Sequence, residues 1–568
     1  MNEFLRRDFL RLAAAGVLWP ASAAEGEPAV RLTLRFRTDA ERLSRVLPPP
    51  LEADEPVVRV DAVIPAHAAK ALVSVSVEAR FGDRAGRFPL IAWTNDERTR
   101  VAAREAHDLN VRAAEVRVNR QDGRLRIAVE RAGKVLCEIE APKSEAVDSK
   151  TGDFESTTET LFAFRTGLRP DWTVGLLDDR PVEWQALSAT VPLGEAIDVE
   201  QVRLAWGEAS RLEPVAELPI EDIFDARVVR LDSAPDPAEL RAEKLGESNP
   251  AELAPWAFLR YGRPLFDGRL AGPRAEGASD WRLGEGEIEK HQARKELVLN
   301  PLELVEVEAL IDADIYASLL PEPCRPLSRP SVKLVGLRVN RSDFSDQPFS
   351  EIWLLTFCLI GGQAAWYALS HIVGPGGDVV FGREVFGYPS KRGEPEVVVS
   401  PVDFSLSVRR GGRELAYAAG GFRGFSTGVS LARLAIAGLR LDPGRDGEPR
   451  GGELVAQMWH YQGRRHRIAP GGLQFEFPEP PEGAAPNDPW HKLGRAQILA
   501  ISAMDGAVMQ RSPGQVIARV GDFDSAYRER CDGVLPWQDL KGAAEKPTLL
   551  LRQPPQRRSA APERTIKL

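Results

Sequence analysis

Two stretches of this chain, one in each half, repeat the same order of local signals. One reads RTD-AERLSRV-LPPP from residue 37, and the other reads ID-ADIYASL-LPEP from residue 311. In each, an aspartate that can cap a helix precedes a short helical segment, and prolines then stop it. Before each aspartate, LTLRF and VEVEALI alternate as strands do. The repeat therefore predicts two copies of one domain.

The length of the chain agrees with two domains. At 568 residues it exceeds the roughly 250–300 residues at which single cores stop growing. The content of 43% hydrophobic and 28% charged residues is typical of a globular protein. A formal net charge of −9 offers no general attraction to phosphate backbones, so we expect no nucleic-acid partner.

Both halves also contain a strong hairpin signal. In the first, AEVRVN and RLRIAVE flank Asp122-Gly123, and in the second, FSLSV and ELAYAA flank Gly411-Gly412. Asp-Gly and Gly-Gly between alternating segments are typical of tight β-hairpins. Most of the predicted strands are short and antiparallel, so the predicted fold class is mainly β with minor α.

The N-terminus resembles an export signal. It reads RRDFLR from residue 6, then an apolar run over residues 12–18, then ASA at residues 21–23. A charged region, an apolar region and an Ala-x-Ala end predict a cleavable signal peptide over residues 1–24, of twin-arginine type. We therefore expect a periplasmic or extracellular protein. The alternative is a short amphipathic N-terminal helix.

A second apolar run, Ile352–Leu369, approaches the length of a membrane span. Gly361-Gly362 interrupts it, which favours two buried strands joined by a turn. A transmembrane helix is the alternative. The two-strand interpretation predicts a mature protein without a stable membrane span.

The remaining segments are less regular. Residues 236–300 are predicted to be a linker or insert; it starts with DPAE, a capping box whose helix would end at Gly246. Residues 541–568 are rich in Pro, Arg and Ala, which predicts a mobile tail.

Four cysteines leave several disulfide pairings open, although buried free thiols are favoured: Cys137, Cys324, Cys358 and Cys531. The spacing of His460 and His466 suits no zinc pattern, so neither a metal nor a cofactor is predicted.

The sequence FGREVFGYPSK, residues 381–391, resembles the Gly-Arg-Glu…Tyr/Phe-Pro-Lys-Lys motif of the acetoacetate decarboxylase family. Residues 30–60 and 203–223 resemble the opening and closing strand regions of the same family. The resemblance implies two acetoacetate decarboxylase-like domains in tandem, at 29–235 and 301–540. It also implies antiparallel, cone-shaped β-barrels with the active site inside, and either homo-oligomers or an intramolecular pseudo-dimer.

The family's chemistry, as the resemblance implies it, uses a lysine that forms an iminium with a ketone. Such an amine must be unprotonated, which burial or a nearby cation achieves. Here Ser390 occupies the first lysine position, and only Lys391 remains. Because neighbours on a strand face opposite sides, a Ser390 that faces the barrel interior directs Lys391 away, to the surface or rim. A bulge that turns Lys391 inward is the alternative.

The first copy departs further from the family pattern. Counted from Arg104 and Glu105, the lysine positions fall on Val111 and Arg112. The family's cavity carboxylate corresponds to Glu351 in the second copy and falls near Leu72 in the first. Another acid position corresponds to Asp61 in the first copy and to Val335 in the second. The full set of predicted ligand-cavity residues is Ser390, Tyr388, Arg383, Glu384, Asp61, Arg104 and Glu105.

Two functions follow as hypotheses. In the first, the protein binds a small ligand such as a keto acid in a barrel cavity, without the lysine-pair chemistry, as a pseudoenzyme would. In the second, Lys391, assisted by Glu351, forms a Schiff base with a β-keto acid, and the protein is a decarboxylase-like lyase.

Overall fold

The structure is a computed structural model of the whole chain. The residues it describes are 29–65, 71–131, 133–142, 155–165, 181–207, 214–231, 241–261, 296–321, 323–342, 345, 347–377, 379–443, 449–468, 473–478, 489–494 and 496–520. The predicted signal peptide, the predicted tail and Cys531 lie outside these ranges. The three described cysteines are free and buried, as expected.

The first half is mostly strands. Its strands are β1 Ala29–Arg37, β2 Val57–Pro65, β3 Leu72–Phe81, β4 Arg84–Thr94, β5 Val111–Ala113, β6 Glu115–Gln121, β7 Arg124–Arg131, β8 Lys134–Pro142, β9 Glu155–Arg165, β10 Val182–Asp198, β11 Arg203–Trp206, β12 Asp222–Leu231 and β13 Arg241–Ser248. Its helices are α1 Ala40–Val46, α2 Glu97–His107 and α3 Pro250–Tyr261, with a 3₁₀ turn at Pro214–Glu217.

The strand pairing of the first half returns on itself. The sheet runs β12-β1-β2-β3-β4-β9-β10-β13, and β10 also pairs with β12. The resulting ring is antiparallel except where β4 meets β9. A smaller sheet, β11-β8-β7-β6, covers its outer face, where Ile127 and Cys137 join Val60 and Val73 in one apolar cluster.

The second half is built in the same way. Its strands are β14 Leu297–Leu310, β15 Arg325–Pro326, β16 Ser331–Val339, β17 Phe349–Ile360, β18 Gln363–Val373, β19 Ser390–Arg392, β20 Glu394–Val399, β21 Asp403–Arg410, β22 Arg413–Pro443, β23 Pro449–Ile468, β24 Gln474–Glu476 and β25 Gln497–Val520. Its helices are α4 Ala313–Ser318 and α5 Val380–Phe386, with a 3₁₀ turn at Pro489–Lys492.

The order β18-β17-β16-β14-β25-β23-β22 also closes, because β18 pairs in parallel with β22. Strand for strand, this order repeats β4-β3-β2-β1-β12-β10-β9 of the first half. Strands β20 and β21 cover the outer face, where Phe404 and Leu406 pack with Ile352 and Ile372. The prediction of one mainly β fold present twice is therefore confirmed.

Several local predictions are also confirmed. Asp39 and Asp312 accept backbone N–H groups at the starts of α1 and α4. The turn residues of both predicted hairpins have positive φ, which suits Asp-Gly and Gly-Gly. The apolar run that begins at Ile352 forms the antiparallel pair β17 and β18. In the described part of the chain, no helix has both the length and the apolarity that a membrane crossing requires.

The helix predicted to end at Gly246 is wrong over its described part. Residues Arg241–Ser248 form β13, which pairs with β10, and the helix α3 follows it. At Gly246 an added Cβ would lie 3.3 Å from the Phe81 ring, so the strand packs closely there. Tertiary pairing with β10 outweighs the local capping signal. Trp256 of α3 donates to the backbone oxygen of Val46, which ties this segment to the first half.

Ion pairs connect the two halves. The Arg104 guanidinium in α2 donates to the Glu384 carboxylate in α5 over 2.7 Å, and the two side chains expose 2% and 9% of their surface. Glu97 of α2 also accepts from Arg410 of the second half over 3.3 Å. The helices that carry the two Arg-Glu pairs therefore face each other across the boundary between the halves.

Candidate functional site

Three neighbouring strands of the second half bring an aromatic, a basic and a hydroxyl side chain into one row. Trp353 of β17 lies opposite His371 of β18, and His371 lies beside Ser390 of β19. Glu351 precedes Trp353 by two residues, so alternation places it on the same face. This is the inner face, since the outer face carries the residues that pack against β20 and β21.

A chain of hydrogen bonds runs through this row. Ser390 Oγ lies 2.7 Å from His371 Nδ1, and His371 Nε2 lies 3.1 Å from Glu351 Oε2. The other carboxylate oxygen of Glu351 pairs with the Arg511 guanidinium of β25. Ser390 is fully buried, and Glu351 and His371 expose only 2% and 3% of their surface.

The charges in this chain follow from burial and pairing. Burial alone raises the pKa of Glu351, but Arg511 and the hydrogen bond from His371 outweigh it and hold that pKa at about 2. Burial lowers the pKa of His371 below its ordinary value, because its effect exceeds that of the bond to Glu351. At neutral pH the carboxylate is therefore ionised and the imidazole is neutral.

Aromatic rings enclose the chain. The Trp353 and His371 rings stack with centroids 3.5 Å apart, and Tyr388 and Trp459 meet Trp353 edge-on. The Arg511 guanidinium lies 4.1 Å from the Trp459 ring centroid. Trp353 Nε1 is buried and has no hydrogen-bond partner among the described residues. A buried donor without an acceptor is costly, so its presence here indicates an acceptor that the described residues do not supply.

The Gly-Arg-Glu motif of α5 packs against the strand that carries Ser390. A Cβ added to Gly382 would lie 2.5 Å from Ser390 Oγ, so a glycine is needed for the helix to pass so close. The Arg383 guanidinium donates to the backbone oxygen of Ser390 over 3.1 Å. Tyr388 donates its hydroxyl to Gln457. Arg383 therefore positions the strand of Ser390.

The first half repeats the same strand register with other residues. Its row runs Asp61–Ser74–Ala92–Val111, where the second half has Val335–Trp353–His371–Ser390. The Arg104 guanidinium donates to the Val111 backbone oxygen over 3.3 Å, as Arg383 does to that of Ser390. The predicted correspondences of Val111 with Ser390 and of Asp61 with Val335 are therefore those of the structure.

The family model for acetoacetate decarboxylase matches residues 23–240 and 290–516. The chain belongs to the acetoacetate decarboxylase family. The two matched segments correspond to the two halves, which are two acetoacetate decarboxylase-like domains in tandem.

Solved structures of the family are similar to parts of the chain. One acetoacetate decarboxylase has 17% identity and a TM-score of 0.34, with 40% of this chain and 91% of that chain covered. The enzyme from Legionella pneumophila has 17% identity and a TM-score of 0.32, with 39% and 88% covered. The enduracididine biosynthesis enzyme MppR, complexed with the condensation product of pyruvate and imidazole 4-carboxaldehyde, has 16% identity and a TM-score of 0.32, with 39% and 89% covered. No curated protein matches the chain.

Relative to the family's lysine pair, Ser390 occupies the first position on the inner face. Lys391, at the second position, lies beside Ile372, whose side chain belongs to the outer-face cluster. Lys391 is fully buried, so the expectation of a surface or rim lysine is wrong. The layer formed by β20 and β21 covers this side of the strand, which the local sequence did not reveal. Alternation directs the Lys391 amine away from Glu351.

In the first domain, the inner face carries a cluster of charged residues. Asp61 accepts from Thr33, Arg59 and Arg87 over 2.6, 3.0 and 2.8 Å. Glu159 accepts from Arg31, Arg87 and Arg59 over 2.9, 2.7 and 3.3 Å. We call Arg31, Arg59, Arg87, Asp61 and Glu159 the arginine cluster.

The arginine cluster contains one more positive than negative charge. Burial raises the pKa of Asp61, but Arg59, Arg87 and Arg31 outweigh it and hold that pKa well below its ordinary value. Both acids are therefore ionised at neutral pH, because the pKa of Glu159 is lowered by the same arginines against its burial. Arg31 exposes 5% of its surface, and its Nε has no partner in the described parts of the chain.

The structure thus separates the predicted site residues. Ser390, Glu351 and Tyr388 come together in the second domain, and Asp61 lies in the arginine cluster of the first. Arg104 and Glu384 pair with each other across the boundary between the domains, and the Glu105 side chain lies outside what the structure describes. Sequence reasoning missed the site roles of His371, Trp353, Arg511, Arg31, Arg59, Arg87 and Glu159. Polar residues at every second position of a buried strand, as in Arg31-x-Thr33 and Arg59-x-Asp61, are the signal that could have found the cluster.

Proposed function

We propose that this protein is an exported, small-ligand-binding member of the acetoacetate decarboxylase family, which holds an oxo acid or another small carboxylate without forming an imine. The observation that carries this proposal is the unbalanced positive charge of the arginine cluster. A buried charge without a counter-charge is costly, and a carboxylate would supply one. Arginine is also well suited to carboxylates, because its planar group donates two parallel bonds.

The absence of imine chemistry has separate support. An imine requires an amine that faces the ligand, and Ser390 fills that position in the second domain, as Val111 does in the first. The hydroxyl of Ser390 is hydrogen-bonded to His371. Lys391 belongs to the other face of the strand, so the described strands place no lysine amine beside Glu351 for the lyase hypothesis.

Ligand binding is tested by calorimetry and thermal shift with pyruvate, acetoacetate and oxaloacetate. We expect saturable binding of at least one acid, and a loss of affinity of about 10-fold or more in Arg31→Met, as for a lost charged hydrogen bond. Arg35→Met is the matched control, because Arg35 lies on the same strand but pairs with Glu78, whose side chain is 33% exposed. The proposal fails if none of the acids binds, or if Arg31→Met binds as tightly as the parent.

The imine question is tested by borohydride reduction in the presence of the same acids. We expect no mass increase on any lysine. A reduced adduct on Lys391 that disappears in Lys391→Arg would instead establish the lyase hypothesis.

Export is tested by cell fractionation of the full chain. We expect the protein in the periplasm or medium, shortened at about residue 24, and retained in the cytoplasm when Arg6 and Arg7 are both changed to Lys. A full-length cytoplasmic protein would contradict export.

A further inference from the structure

We propose that Ser390, His371 and Glu351 form an acyl-transfer site, in which Ser390 Oγ attacks the carbonyl carbon of a small, uncharged ester. This site lies in the second domain and does not depend on carboxylate binding by the arginine cluster of the first. At this position other members of the family carry a lysine, and here a serine would be the nucleophile instead.

The hydrogen bonds determine which atom donates at each step. The ionised Glu351 carboxylate can only accept, so His371 Nε2 carries the hydrogen of that bond. A neutral imidazole then leaves Nδ1 without a hydrogen, and Nδ1 accepts from the Ser390 hydroxyl over 2.7 Å. The Ser390 hydroxyl thus donates to a base, and a carboxylate orients that base. This is the arrangement of an activated serine. The two ring nitrogens exchange the roles they have in most serine hydrolases.

The surroundings indicate the class of substrate. Glu351 and Arg511 pair with each other, which leaves no unbalanced charge among the described residues of this chain of hydrogen bonds. Trp353 Nε1, on the ring that stacks against His371, is a buried donor without a partner among the residues that the structure describes. It can donate to a carbonyl oxygen that becomes negative during attack. The aromatic rings and the complete burial of Ser390 favour a short, uncharged acyl group.

The reaction would proceed in two steps. In the first, Ser390 Oγ bonds to the ester carbonyl carbon, and its proton passes to His371 Nδ1. The bond from that carbon to the alcohol oxygen then breaks, and His371 returns the proton to the departing alcohol. In the second, water attacks the acyl-serine, gives its proton to His371, and releases the carboxylic acid as Ser390 regains its hydrogen.

The test uses p-nitrophenyl acetate as substrate and diisopropyl fluorophosphate as a serine probe, both chosen because they are small. We expect saturable hydrolysis and a single phosphoryl adduct on Ser390, identified by mass spectrometry of the full-length protein. Ser390→Ala should lose the adduct and at least 1,000-fold in kcat/KM, and His371→Gln should lose a similar amount. Ser502→Ala is the matched control, because Ser502 is a buried serine whose Oγ has no partner among the described residues. It should leave both readouts unchanged.

In these assays, two results would overturn the proposal: no hydrolysis and no adduct in the folded parent, or an adduct rate and kcat/KM that survive Ser390→Ala. Thermal melting of each variant checks that it is folded. Ser390→Cys provides a second check, because an activated thiol should react with iodoacetamide faster than in the Ser390→Cys/His371→Gln double variant. Equal rates would also contradict the relay. Oxo-acid binding measured on the same samples reports separately on the first domain.

Discussion

The inner faces of the two domains have the same strand register but different distributions of polar groups. In the first domain, the polar end of the row is Thr33 and Asp61, inside the arginine cluster, and the other end is Ala92 and Val111. In the second, His371 and Ser390 are polar, Val335 replaces Asp61, and Glu306, which accepts from the Tyr461 hydroxyl, occupies the position of Thr33. Neither domain keeps the amine on which the family's imine chemistry depends.

This difference shows that the framework and the chemistry changed independently. The ring of strands is held by backbone bonds, which do not depend on the side chains that face inward. The Arg-Glu helices are kept in both domains because their arginines bind the backbone oxygens of Val111 and Ser390 and because Arg104 pairs with Glu384. Inner-face positions could therefore diverge without loss of the fold.

The largest expected effect comes from copying a first-domain residue into the second. Glu351→Leu reproduces Leu72 and leaves Arg511 buried without its carboxylate, which should lower the free energy of unfolding by about 3–5 kcal/mol. Urea denaturation measures this loss. Adding Arg511→Met should recover most of it, since removal of both partners leaves no buried charge. A loss of only about 1 kcal/mol, as for an exposed pair, would contradict the description of this ion pair.

A smaller effect is expected at the glycine that passes over Ser390. Gly382→Ala places a methyl group against Ser390 Oγ, and overpacking of this kind costs about 1–3 kcal/mol. Ser390→Ala in the same background should recover stability, because the contact is with the hydroxyl. Gly421→Ala is the control, since an added Cβ there meets only an atom at 3.9 Å. Equal losses at both glycines would show that the close approach does not matter.

The contact between the domains is measured by a double-mutant cycle. Arg104→Met and Glu384→Gln should each destabilise, with a coupling energy of roughly 1–2 kcal/mol, within the range for charged residues in contact. Thermal or urea unfolding of the four proteins gives this value. A coupling indistinguishable from zero would mean that this pair does not hold the two domains together.

The smallest effect is a pH dependence that belongs to the second domain, since the first has Ala92 in place of His371. The folded pKa of His371 lies below its ordinary value, so below about pH 6.5 the unfolded chain binds more protons than the folded one. The contribution of the neutral His371 to the free energy of unfolding should therefore be fully present above that pH and decrease as the pH falls through it. His371→Gln should reduce the slope of unfolding free energy between pH 7.5 and 5.5, and the remainder should include His466, whose pKa is also lowered by burial. An unchanged slope would contradict a neutral, buried His371.

Much of this fold could be predicted from local patterns. The aspartate caps, the positive-φ turns at Asp122-Gly123 and Gly411-Gly412, and the alternation of apolar residues each depend on neighbours a few positions away. Ser390 and Val111 could be predicted to occupy equivalent positions by counting residues from the Arg-Glu pair in each half. The face on which Ser390 lies then determines the face of Lys391, because strand alternation has a fixed period. The same local reasoning failed for residues 241–246, where pairing with β10 decides the structure.

The sequence by itself determined that this chain carries one mainly β domain twice, and that a serine replaces the inward-facing lysine in the second copy. Only the tertiary structure decided that Ser390 meets His371 and Glu351, that Lys391 is buried on the outer face, and that three distant arginines share two acids. These outcomes depend on side chains from strands far apart in the chain, whose registers and layers are selected by packing and charge balance together.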